Sequence, residues 1–259
     1  MSSFTSRLRF AAKLASIHFL ISLTIAILTA ILVFKIWYPH PFMIIAGGLV
    51  MFALIVVIDV VCGPLMTMIL SNPKKSRRAM IFDFTVIGLV QLSALIYGLH
   101  AVYMARPLYY AFDKDRFEIV SAAQLPQDAL QQAESKWQKL PMWGPKLISI
   151  DCSSQYQDKL DSVMLSMSGF PPIARPFCWQ EFNAQRDLPA IQKAMKPVLL
   201  LMNRHPEKKS IIEKAIRKTG LSQEQLFFLP FTNDQVFSWS ALLDKDGKIV
   251  GYVEAEGFM

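Results

Sequence analysis

Three long apolar stretches occupy the first 105 residues, and beyond them the pattern changes in kind. Leu14–Ile36, Phe42–Leu70 and Met80–Tyr103 each run for the ~20 residues that a bilayer requires, or more. After Arg106 the apolar positions come in short bursts between turn residues. PLYYAF and RFEIV flank an acidic DKD and predict a hairpin. Gln127–Gln138 has helical periodicity, Lys146–Ile150 reads as a strand, and Asp158–Met167 reads as a helix. PPIARPFCW is too proline-rich for either. Asp187–Met195 and Pro206–Lys218 are predicted helices, the second closed by Gly220. VFSWSALLDKDGKIVGYV predicts a hairpin about Asp246-Gly247. The expected architecture is an α-helical membrane domain of three transmembrane helices (about 14–36, 42–70 and 80–103) followed by an α+β extracytoplasmic domain over 106–259. A basic cytoplasmic N-terminus, residues 1–13, precedes both.

The few polar positions inside the apolar runs carry the next layer of information. His18, Ser22, Ala26 and Thr29 recur at helical spacing and share one face. That face either meets another helix or simply bonds its own backbone. Lys35 can snorkel, Trp37-Tyr38 form an interfacial belt, and Pro39-His40-Pro41 makes a tight external turn. The second run exceeds the bilayer's need, and Gly63-Pro64 offers a kink or an end, because proline lacks the N–H that a helix uses. Gly48, Phe52, Ile55, Asp59, Cys62 and Gly63 fall on one face of it. Asp83, Ile87, Val90, Ala94 and Tyr97 form a stripe on the third run, with Gln91 at its edge.

Charge then sets topology. The net charge is +7, but residues 106–259 hold 19 Lys/Arg against 18 Asp/Glu. The excess lies beside the apolar runs, at Arg7, Arg9 and Lys13 and at Lys74, Lys75, Arg77 and Arg78. That is the positive-inside pattern, with the N-terminus and the 71–78 loop on the cytoplasmic side. It excludes a basic nucleic-acid-binding face on the soluble part. The two cysteines of that part, Cys152 and Cys178, are a candidate disulfide or two buried thiols.

Residues arranged for chemistry are few. The four histidines and three cysteines show no metal-ligand spacing, so no metal and no cofactor is expected. No nucleophile elbow, phosphate-binding glycine loop or CxxC motif is present. DKDGK at 244–248 lacks the glutamate of a calcium loop and reads as a turn. One constellation remains. Asp59 and Asp83 could share a proton as an intramembrane aspartyl protease dyad, provided that they lie at one depth. Otherwise each carboxylate is satisfied separately at a helix junction.

The run DVVCGPLMTMILSNPKKSRRAMIFD, followed by QLSALIYGLHAVYMARPLYYAFDKDRFEIV, resembles the type IV pilin accessory protein family, the TfpX/TfpZ-like inner-membrane proteins. The residues that carry the resemblance include Asp59, Gly63, Pro64, Pro73, Lys74, Lys75, Asp83, Gln91, Tyr97, Arg106, Pro107, Asp115, Arg116 and Phe117. It implies a bacterial inner-membrane protein, periplasmic in its C-terminal domain, that helps a cognate type IV pilin to be held or assembled into pili, with no catalytic activity and no cofactor. On that basis the His18, Ser22 and Thr29 face is the expected contact for a pilin's membrane helix. A competing expectation is that the 71–78 loop docks the pilus assembly machinery. Lipid is the other expected partner, and nucleic acid is not.

Overall fold

The computed structural model describes residues 2–152, 164–167 and 169–258, with side chains from residue 5 onward. The chain divides into two compact units, Met1–Ala105 and Arg106–Met259. Three helices of the first unit are long and apolar enough to cross a membrane: Thr5–Trp37, Gly48–Leu70 and Arg77–Met104. The second unit is a mixed sheet with helices. The expected fold class therefore holds.

Helix α1, Ser2–Leu32, runs on through a π-helical turn at Val33–Trp37. The Pro39–Pro41 turn is followed by a short helix α2, Phe42–Ile45. Gly47 then takes a left-handed φ of 70° and opens α3, Gly48–Val57. A π-helical turn, Ile58–Cys62, leads into α4, Gly63–Leu70, and α5 spans Arg77–Met104. This corrects the expected second span in two ways. It starts at Gly48 rather than Phe42, because the left-handed residue breaks the helix there. It also continues through Pro64, which lies just where the π-turn Ile58–Cys62 passes into α4.

The π-turn inserts an extra residue into the helical register. The downstream residues are rotated by it, so Asp59, Val60, Gly63 and Thr67 are buried while Cys62, expected on the same face, is exposed. On α5 the buried positions are Ile87 and Val102, whereas Val90 and Tyr97 of the predicted stripe are exposed. The middle span packs against both other spans, α4 most extensively on α1 and α3 on α5. Near one end, the Tyr38 hydroxyl donates to the Val102 carbonyl at 2.9 Å, and the Tyr38 ring covers Gly48 so closely that no Cβ fits.

The second unit has strands β1 (Pro107–Asp113), β2 (Arg116–Ser121), β3 (Lys146–Ile150), β4 (Trp179–Glu181), β5 (Lys196–Pro197), β6 (Phe227–Thr232), β7 (Trp239–Leu243) and β8 (Ile249–Val253). Their order is β4-β3-β1-β2-β6-β7-β8, with β5 also on β6. Both predicted hairpins form, β1–β2 and β7–β8; the parallel β2–β6 pair and the antiparallel β6–β7 pair join them into one sheet, and the parallel β1–β3 pair extends it on the other side. Helices α6 (Gln127–Gln132), α7 (Ser135–Gln138), α8 (Ala184–Ala194), α9 (Val198–Arg204) and α10 (Lys209–Thr219) complete it. One core gathers Tyr109, Trp137 and Trp179, whose rings lie 4.8–5.8 Å apart. The other packs α9 and α10 on β6–β8 through Leu201, Ile212, Phe228 and Leu242.

The predicted Gln127–Gln138 helix is instead two helices. Extended residues Ala133 and Glu134 separate them, and the break turns Trp137 into the core. Helix α8 begins three residues earlier than expected, because the Asn183 side chain caps it by accepting from Gln185 and Arg186 N–H. Pro206–Lys208 is a 3-10 turn ahead of α10. Most of the predicted Asp158–Met167 helix lies outside the described residues, of which 164–167 are helical.

Candidate functional site

The Asp59–Asp83 stretch is where the polar groups of the membrane unit concentrate. Ser71 closes α4, its hydroxyl and its N–H both donating to the Thr67 carbonyl, at 2.6 and 3.0 Å. Asn72 organises the turn by accepting from the Lys74 N–H on its side chain and from the Lys75 N–H on its carbonyl. Ser76 caps α5 through the Ala79 N–H. This arrangement delivers Lys75 Nζ to within 2.6 Å of Asp83 Oδ2. Pro73, Lys74, Arg77 and Arg78 remain exposed.

Asp59 has a different environment. It sits in the π-turn, 8% exposed, and its Oδ1 has no hydrogen-bond partner among the described residues. Its backbone carbonyl accepts from Gln91 Nε2 at 3.0 Å. That bond sets Gln91 level with Asp59. Asp83 precedes Gln91 by eight residues, ~12 Å along a helix rising ~1.5 Å per residue. The two carboxylates therefore form no dyad, which removes the protease arrangement. Asp83 is instead neutralised by a cation of its own turn.

Gly63 is the other half of the Gln91 contact. A Cβ there would collide with the Gln91 amide, so only glycine admits this side chain against the backbone.

The stripe on α1 is engaged within the chain. His18 Nδ1 lies 2.6 Å from Thr67 Oγ1, and Ser22 is buried. Thr29 donates to its own helix, at the carbonyls of Ile25 and Ala26. Thr67 is the buried partner of His18 that sequence reasoning missed; the four-residue spacing Asp59, Gly63, Thr67 could have found it. Tyr97 is 75% exposed and takes no part in the site.

A cleft of about 270 Å³ opens between the π-turn with α4 on one side and α5 on the other. Ile58, Cys62, Met66 and Leu70 face Phe82, Val86, Val90 and Ala94 across it, with Asp83 at one end and Gln91 on its wall. Its lining is almost wholly apolar. Such a lining suits an apolar group rather than a polar one.

In the second unit, Arg106 is buried and donates through Nη2 to the Pro141 carbonyl at 3.2 Å, while Pro107 starts β1. Arg116 pairs with Asp115 at 2.8 Å on the β1–β2 turn and lies over the Phe258 ring. Burial raises the carboxyls of Asp113 and Glu118 on the same hairpin, and Asp113 pushes Glu118 further in that direction. Cys152 and Cys178 are joined in a disulfide, with 26 residues of sequence separation. Among the described residues, no three His, Cys, Asp or Glu side chains are placed to hold a metal ion.

Comparison with known proteins places this geometry in a family. A family model described as fimbrial assembly protein FimB matches residues 6–47. A fimbrial assembly protein of Dichelobacter nodosus, serogroup I, is 37% identical over 253 residues, covering 97% of this chain and 98% of that protein. Its serogroup E1 counterpart is 36% identical over the same length and coverage. The protein of serogroups C1 and C2 is 50% identical over 127 residues, 49% of this chain and 97% of that one. No solved structure matches the chain. Since the first two alignments run through both the membrane unit and the sheet unit at well over 30% identity, the chain belongs to the family of fimbrial assembly proteins.

Proposed function

We propose that this protein is a non-enzymatic accessory factor of the bacterial inner membrane that binds a cognate type IV pilin and keeps the subunit available for assembly into pili. The observation that carries the reading is near-full-length similarity to proteins named for fimbrial assembly, over membrane and sheet units together. The separation of Asp59 from Asp83 supports a binding role over a hydrolytic one. In this reading the N-terminus and the α4–α5 turn are cytoplasmic, as Arg7, Arg9, Lys13, Lys74, Lys75, Arg77 and Arg78 favour, and the sheet unit is periplasmic.

The pilin's membrane helix is assigned to the cleft between α4 and α5. His18 and Ser22 are already engaged within the chain and Thr29 bonds its own helix, whereas the cleft is open and apolar. The test is a photo-crosslinkable residue placed at Met66 or Val90, with detergent extraction and capture of the full chain. A crosslink to pilin at these positions, absent from Leu20 on the exposed side of α1, is the expected result. Capture of assembly-machinery proteins without pilin would replace this reading with docking through the turn of Lys74, Arg77 and Arg78.

A further inference from the structure

The connection between α7 and β3 reads Leu140-Pro-Met-Trp-Gly-Pro145, and it is built to expose what a soluble surface normally hides. Met142 is 61% exposed and Trp143 67% exposed. Trp37, Trp137, Trp179 and Trp239, the other four tryptophans of the chain, are all buried. Pro141 and Pro145 lie on either side of the exposed residues and fix the backbone φ at those two positions. Large apolar side chains presented together on a surface mark a contact with something apolar.

The position of this loop along the chain says what that contact is. Arg106 is itself 2% exposed, and its Nη2 grips the Pro141 carbonyl. Arg106 is also only two residues past Met104, where the third candidate span ends, so at most ~7 Å of extended chain separates them. The loop is therefore tied, through Arg106, to the second residue after the third candidate span. Its flanks are Lys139 and Lys146, both exposed. A tryptophan and a methionine between two lysines match the headgroup region, where an indole keeps its ring in apolar surroundings and its N–H wet while ammonium groups meet phosphate.

We infer that the Met142–Trp143 loop is a membrane-interface anchor, seating its two side chains among the phospholipid headgroups of the leaflet from which the third span emerges. This anchor requires that the three helices span a bilayer, and it is independent of the identity of any pilin partner.

The experiment uses the full chain in liposomes of phosphatidylethanolamine and phosphatidylglycerol, in a Cys62→Ser background that leaves the disulfide intact. A nitroxide is attached at Trp143→Cys, or at Met142→Cys should the first variant not fold, and its collisions with oxygen and with a water-soluble nickel chelate are compared. The expected result is several-fold preference for oxygen at the loop and the reverse at Lys245→Cys on the β7–β8 turn. An aqueous profile at the loop equal to that at residue 245 overturns the anchor. Shielding from both reagents overturns it too, since it would mean that protein covers the loop. A label at Leu89→Cys, on the exposed surface of the third span, separates the two premises: a failure to read lipid there would reject the span itself.

Discussion

Gly63 and Gln91 show how one absent methyl group organises a helix pair. The Gln91 amide approaches the α4 backbone where any Cβ would sit, and from there it reaches the Asp59 carbonyl. Gly63→Ala should cost about 1–3 kcal/mol by overpacking, read as a lowered melting temperature of the detergent-purified protein. Gly63→Ala combined with Gln91→Ala should recover most of the loss, because the smaller side chain vacates the space. Equal melting temperatures for the single and the double variant would mean that the contact is not what holds the pair. Sequence alone displayed Gly63, Pro64 and Gln91 as unusual residues within apolar runs. It could not show that two of them touch, since they lie 28 positions apart.

Turns and breaks within the elements were the hardest features to foresee. A π-turn has no sequence signature comparable to a cap or a hairpin, and its one-residue shift is what exposes Cys62 and buries Val60. Strand β6 is not evident in the sequence although it lies between β2 and β7, because Pro230 argues against a central strand. The sheet tolerates it: on one side of β6, β5 pairs with Phe227 and Phe228 and β2 with Phe231 and Thr232, so Pro230 falls in the gap between those partners. Across the sheet edge, the Cys152–Cys178 disulfide closes the segment between β3 and β4. Cys152→Ser should destabilise the sheet unit by about 2–4 kcal/mol in the chain-entropy account, measured by denaturant unfolding followed through tryptophan fluorescence. In the parent protein, thiol labelling after unfolding should find one group, Cys62, before reduction and three after it. Three labels without reductant would reject the bond.

For the molecule as a whole, charge acts differently in its two units. Beside the apolar helices it forms the positive-inside pattern on which the proposed topology rests. In the sheet unit it sets a pH dependence through Asp113 and Glu118, whose carboxyls burial raises above their ordinary values. Such groups contribute stability that is fully present below the unfolded pKa of about 4 and is lost as pH rises through the higher folded pKa. Ionising either carboxyl costs more in the folded unit than in the unfolded chain. Asp113→Asn with Glu118→Gln should therefore raise the melting temperature of the sheet unit at pH 7, and the gain should shrink as pH falls toward 4. A gain that is independent of pH would show that titration is not its source.

Length, hydropathy and the placement of Lys and Arg were enough to read three spans, a mixed second unit and its two hairpins, because these properties are local or additive along the chain. The pairing of Asp83 with Lys75 was within reach for the same reason, being a contact across one short turn. The isolation of Asp59, the inward turn of His18 onto Thr67 and the grip of Arg106 on Pro141 were decided by tertiary structure alone. Each depends on the register between elements far apart in sequence, which in the first unit the π-turn shifts by a residue, and a single-residue shift reverses which side chains meet.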